Sequence, residues 1–213
     1  MRQRNKSFDI IAGICIVFMI FTHVCQLSYN TGWPVYKYSL RIFYYYMFFF
    51  FMKSGYFDKP TSWIECLKKN WRKLIIPFAI YSIIGHFVYC CLLCQEGKLT
   101  FSEILIEPLR QIYHWGASMG NLPLWFLICL FGVKIIYCML DNLHVKSWMV
   151  FIVSFVVSVG LQITQMTVCG HAVPYSLGAI AMALSIYSFA VFMRNKPIRG
   201  AIRNIAVGHS LCS

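Results

Sequence analysis

His23 interrupts an apolar run, FDIIAGICIVFMIFTHV, that covers residues 8–24. Imidazole is the side chain whose ordinary pKa, ~6.5, lets it take up and return a proton near neutral pH. Set about 20 Å into a ~30 Å hydrocarbon layer, its nitrogens need a polar partner or a water-filled cavity. Two readings are open: a neutral histidine hydrogen-bonded between helices, or a functional base. Asp9 lies fourteen residues earlier and within about 40° of the same helix face, so one stripe carries a carboxylate and an imidazole.

Two further stretches hold polar groups beside apolar ones. FFFFMKSGYFDKP sets Lys53 and Ser54 next to Gly55 at the end of a second apolar run. Glycine there permits a close backbone approach or a helix break, and Lys53 is near enough to the end to snorkel to water. KKNWRKLIIPFAI puts Arg72 and Lys73 just before a third run. Such a cluster suits a phosphate-bearing ligand. For Lys68, Lys69 and Lys73 the alternative is membrane topology and anionic lipid. Ser54 as an acyl-carrying nucleophile has no base beside it in sequence.

The elements that position these residues are membrane spans. With 213 residues, 59% hydrophobic, 12% charged and a mean hydropathy of +0.64, the chain is too apolar for a water-soluble domain. Spans are predicted at Ile10–Ser28, Tyr36–Phe57, Leu74–Cys94, Leu122–Leu140, Trp148–Val168 and Ala172–Met193, giving an all-α bundle of about six helices in one domain, residues 1–213. Thirteen basic residues fall on one side: Arg2, Arg4 and Lys6; Lys59, Lys68, Lys69, Arg72 and Lys73; Lys146; Arg194, Lys196, Arg199 and Arg203. Only Lys37, Arg41, Lys98 and Arg110 fall on the other, which places both termini in the cytoplasm. Lys53 and Lys134 lie inside or at the edge of spans. The net charge of +12 is spent on this asymmetry; no water-facing basic domain with stacking partners exists for nucleic acid. The first run exceeds a signal-peptide core and lacks a small-x-small cleavage site, so it is expected to be a retained anchor.

In the longest connection, Gln95–Asn121, residues Phe101, Ile104, Leu105, Leu109 and Ile112 recur at helical intervals, which fits either a segment flat on the outer surface that lids a site or an ordinary amphipathic connector broken by Pro108. Of the ten cysteines, most, such as Cys15, Cys25, Cys129 and Cys138, sit in apolar runs and read as small hydrophobes. Cys90, Cys91 and Cys94 give a CxxC spacing, with Cys169 on the same side, where packing or a disulfide is expected rather than a metal.

Four motifs in order, FDIIAGICIVFMIFTH, FFFFMKSGYF, WRKLIIPF and LPLWFLICLF, resemble the integral-membrane acyltransferase 3 family, in the flavour of sugar O-acetylases similar to fucose 4-O-acetylase. The resemblance implies a multi-pass protein of the bacterial inner membrane. It implies transfer of an acyl group, acetyl, from cytoplasmic acyl-CoA to a hydroxyl of a cell-surface or capsular sugar. The donor is a substrate; no permanently bound cofactor and no metal is expected. His23 corresponds to the family's catalytic histidine, Arg72 and Pro77 to its arginine and proline, Ser54 and Gly55 to its serine-glycine pair, and Trp125 and Phe126 to its tryptophan-phenylalanine pair. The family usually has a basic residue eleven positions before the histidine, and here Ala12 stands there. It also has around ten helices, so six suggest a C-terminally truncated member.

An alcohol is a poor nucleophile until a base takes its proton, the role expected of His23. Arg72 and Lys53 are expected to hold the donor's phosphates. The competing readings are an inactive remnant and a small transporter or polysaccharide-export component with His23 and Lys53 along a permeation path.

Overall fold

Inside hydrocarbon a chain must satisfy its peptide groups internally, and runs this apolar do so as helices. The computed structural model describes residues 6–27, 34–59, 61–117, 119–164, 167–168, 171–172 and 175–195. The helices are α1 (Lys6–Leu27), α2 (Pro34–Phe57), α3 (Trp63–Asn70), α4 (Ile76–Gln95), α5 (Phe101–Leu105), α6 (Glu107–Trp115), α7 (Trp125–Asn142), α8 (Ser147–Ile163) and α9 (Tyr175–Asn195). The stretches Lys6–Val24, Trp63–Gln95 and Trp125–Asn142 are long and apolar enough to cross a membrane, and Ser147–Ile163 and Gly178–Arg194 are shorter apolar helices. The chain is a helical membrane bundle, as its composition requires.

Helix α9 is the centre of the bundle and packs against α2, α7 and α8. Its contact faces are small: Ala183, Ser185, Ser188 and Ala190 are each nearly inaccessible. Small residues let backbones approach where lipid supplies no hydrophobic drive between helices. The serine hydroxyls are returned to their own helix, Ser188 Oγ donating to Leu184 O at 2.7 Å and Ser185 Oγ to Met182 O at 2.7 Å. Met47 and Phe51 of α2, Val133 and Tyr137 of α7, Val150 of α8 and Tyr187 of α9 complete the core. Helix α1 packs on the outside of α2.

Two departures from the expected spans, and one in the long connection, have local causes. The third span is longer than expected, because α3 runs into α4 through a π-helical turn, Trp71–Ile75. Cys66, Asn70, Phe78 and Ser82 are buried at multiples of four residues along that run. A stripe of that spacing drifts around a helix of 3.6 residues per turn, and the wider π turn takes up the drift just before Pro77, which has no N–H to give the preceding turn. The fifth span ends early at Ile163, where Thr164 Oγ1 turns back to Gly160 O at 3.1 Å, and Thr167–Val168 pairs with His171–Ala172 as a minimal antiparallel hairpin. In the long connection Pro108 does not merely break a helix; it occupies the first turn of α6, where its missing donor costs nothing. His86 Nε2 lies 3.0 Å from Ile104 O and fastens α5 back onto α4. Cys90, Cys91 and Cys94 are free thiols, and Cys169 lies outside the described residues.

Gly55 fixes how near α9 comes to α2. A Cβ there would stand 2.4 Å from the main-chain oxygen of Tyr187. Gly55→Ala is expected to lower stability by about 2–3 kcal/mol through forced separation of the two backbones. Gly13→Ala, which meets nothing within 4 Å, is expected to be neutral or mildly stabilising. Thermal midpoints of the two variants in detergent check the pair.

Candidate active site

Helices α1 and α2 run antiparallel, and aromatic rings set their register. Phe8 stacks on Tyr56 with centroids 5.6 Å apart, and Phe18 stacks on Tyr46 at 5.4 Å. Ala12, Cys15 and Thr22, spaced to fall on one side of α1, are the buried residues among those described on it. Thr22 Oγ1 donates to Phe18 O at 2.9 Å, within the helix. His23 comes next, half-buried, with its Nε2 withdrawn from solvent.

Asp9 is drawn to α2 instead. Lys53 Nζ lies 3.0 Å from Asp9 Oδ1 and 3.4 Å from Phe8 O. Fourteen residues of helix separate Asp9 from His23, about 21 Å along the axis. Carboxylate and imidazole thus stand at opposite ends of α1. Lys53 does not simply snorkel outward; it ties the two helices at the basic end.

Lys53 and Ser54 line an open groove of about 440 Å³ together with Phe50, Phe57, Asp58 and Lys134. Gly55 points the other way, toward α9. Beside the groove, Asp58, just past the end of α2, gathers a network from α7 and α9. Lys134 of α7 sits 2.7 Å from its Oδ2, the Tyr187 hydroxyl of α9 donates to the same oxygen, and Arg194 donates to the Asp58 main-chain carbonyl. Lys134 Nζ also stands 5.8 Å above the Tyr187 ring. Burial alone would raise the pKa of Asp58, but the hydrogen bonds from Lys134 and Tyr187 and the charge of Lys134 outweigh it and hold the carboxyl below its usual value. A cavity of about 120 Å³ lies behind the network, lined also by Cys66, Cys138 and Asp141. It has room for several waters among polar walls.

Arg72 is not in this groove. It is exposed on the π turn, in a separate groove with Lys68, Lys69 and Trp71. Trp125 opens α7 and packs on the core, and Phe126 meets Phe51 at 4.9 Å. The structure therefore brings Asp9, Lys53, Ser54 and Gly55 together at one end of α2, and keeps His23 and Arg72 apart from them. Sequence reasoning missed Asp58, Lys134, Tyr187 and Arg194. The signal present was Lys134, a lone cation in an apolar run, whose carboxylate partner is 76 residues away in the chain. Among the described residues no group of three or more His, Cys, Asp or Glu is placed to hold a metal.

A family model for acyltransferase 3, described as an acyltransferase domain, matches residues 5–192. The chain belongs to the acyltransferase 3 family. It is a membrane acyltransferase, and the four motifs that carried the resemblance fall on α1, the end of α2, the π turn with the start of α4, and the entry to α7. No curated protein and no solved structure matches the chain. In this family member the Asp58 network is the tie between the groove and the core.

Asp58→Asn and Lys134→Gln are each expected to cost roughly 2 kcal/mol, less than a fully buried pair because both groups keep some exposure. The double variant should cost less than the sum. Because the folded pKa of Asp58 is depressed, its contribution is complete above the unfolded value of about 3.9 and lost as pH falls through the folded one. The difference in thermal midpoint between the parent and Asp58→Asn is thus expected to narrow below about pH 4.

Proposed function

We propose that the chain moves an acetyl group from acetyl-CoA, arriving from the cytoplasm, to a hydroxyl of a cell-surface or capsular sugar. The observation that carries this reading is His23: a half-buried imidazole on the first helix of a chain that matches the family over residues 5–192. In the proposed reaction, Nε2 accepts the proton of the sugar hydroxyl as its oxygen attacks the thioester carbonyl. The carbon–sulfur bond breaks, and the coenzyme thiolate leaves with the proton that the imidazolium returns. Acyl-CoA acts as a substrate and no resident cofactor takes part.

The groove of Lys53, Ser54 and Lys134 lies at the end of the bundle that the charge asymmetry assigns to the cytoplasm. It is suited to receive the donor's phosphates, with lysines already fixed by Asp9 and Asp58. His23 stands on the order of 20 Å further along α1. The donor's extended pantetheine arm spans that separation in this reading, so that the nucleotide stays at the basic end while the acetyl group reaches the imidazole. Arg72, in its own groove, is left outside the donor site.

The test is transfer of radiolabelled acetyl from acetyl-CoA into lipid-linked or surface polysaccharide by membranes expressing the chain. His23→Ala is expected to reduce incorporation by about 10²–10⁴-fold, the range for loss of a general base. Label that persists in His23→Ala would remove the histidine from the mechanism. No label above empty membranes, with folded protein present, would remove the acetyl-transfer reading for this chain.

A further inference from the structure

A second cationic surface lies on α3 and the π turn, apart from the Lys53 groove. Cys66 and Asn70 are buried in the face that packs on α7, and Asn70 Nδ2 is engaged by Cys66 O at 2.8 Å. Trp63, Ile64 and Trp71 are about half exposed, at 49%, 46% and 52%. Lys68, Lys69 and Arg72 are exposed beside them. Lys68, Lys69, Trp71 and Arg72, with Leu67 and Glu65, surround an open groove of about 800 Å³.

Helix α4 fixes the position of this groove. The π turn continues without a break into α4, whose apolar stretch enters the membrane. The groove is therefore at the boundary of hydrocarbon and water, on the side that carries the excess of basic residues. Tryptophan belongs at that depth. Three cations on a rim and one carboxylate leave it positive, while Leu67 and Trp71 give it an apolar wall. A water-soluble anion would use the rim and leave the wall wet. An amphiphile with a phosphate uses both.

We propose that this groove binds an anionic phospholipid of the cytoplasmic leaflet, with Lys68, Lys69 and Arg72 on the phosphate and Leu67 and Trp71 against the upper acyl chain. The π turn is the device that presents it. By taking up the drift of the buried stripe, it keeps Cys66 and Asn70 on α7 while Trp71 and Arg72 face outward. The bound lipid fastens α3 to the membrane surface next to the Asp58 cavity, since Cys66 lines that cavity from α3. The proposal does not rest on acetyl transfer, and its test requires no turnover.

The full chain, purified in detergent and offered equal amounts of phosphatidylglycerol and phosphatidylcholine, is read by native mass spectrometry. Phosphatidylglycerol is expected to be retained with about tenfold preference, given the attraction of several basic residues for an anionic headgroup. Lys68→Gln combined with Lys69→Gln and Arg72→Gln is expected to abolish the preference, and Lys98→Gln, at the other end of the bundle, to leave it intact. Glu65→Lys, an exposed change that adds charge to the rim without touching the packed face, is expected to raise it. Equal retention of the two lipids, a preference that survives the triple substitution, or no response to Glu65→Lys overturns the proposal. Displacement of phosphatidylglycerol by added acetyl-CoA also overturns it, because the groove would then be the donor's.

Discussion

Asp58 is the point at which, among the described residues, side chains hold the chain together across more than a hundred positions of sequence. Its carboxylate takes Lys134 from α7 and Tyr187 from α9, and its carbonyl takes Arg194. Gly55, one turn earlier, lets the main chain of Tyr187 lie against α2. The same tyrosine therefore meets α2 twice, through its carbonyl at Gly55 and through its phenol at Asp58. The two contacts depend on each other. If α9 stood off by the width of a methyl group, the phenol would lose the carboxylate, and Lys134 would keep a half-buried counterion with fewer donors around it. Such a knot is weak evidence for stability but strong evidence for register, since misplacing any one helix leaves charge unpaired in a poor dielectric.

The candidate site inherits that register. The 440 Å³ groove is lined by Phe50, Lys53, Ser54 and Phe57 of α2 and closed by the Asp58–Lys134 pair, so its width is set by the knot. Helix α1 is attached differently, by stacked rings at Phe8 and Phe18 and by the Lys53–Asp9 pair. These contacts fix the height of α1 against α2, and with it the height of His23. His23 and the cationic groove are thus positioned by two independent sets of contacts that share only α2.

Much of the architecture was legible in the sequence because its cause is local. Hydrocarbon demands helices, and apolar runs with basic flanks reveal where they start and stop. The resemblance to the acyltransferase 3 family rested on short contiguous motifs, each confined to one helix or to a helix and the turn that enters it, and the family match confirms it. Gly55 was readable as a close approach, although not as an approach to Tyr187. What escaped was everything made by helices distant in the chain. Asp58 looked like a loop residue after a span, and Lys134 like a stray charge. Only the packing of α7 and α9 against the end of α2 joins them. Arg72 and Lys53 were expected in one phosphate site since both are basic and near span ends. The π turn, which no local pattern announced, rotates Arg72 into a different groove.

Position 12 shows how a neighbouring helix can change what a sequence departure means. The family pattern leads one to expect a cation there, and the chain has alanine. In the structure Ala12 is buried at 8% exposure against α2, so an arginine at this site would push the two helices apart and break the ring stacking on either side. Yet a cation does reach this part of α1. Lys53 comes across from α2 and places its ammonium on Asp9 and on the carbonyl of Phe8, one turn from position 12. The side chain at 12 is small where the neighbour's is long, and the acid at Asp9 holds the incoming charge in place. The substitution that looks like a loss along one helix is accompanied, across the helix pair, by a positive group at nearly the same height in the membrane.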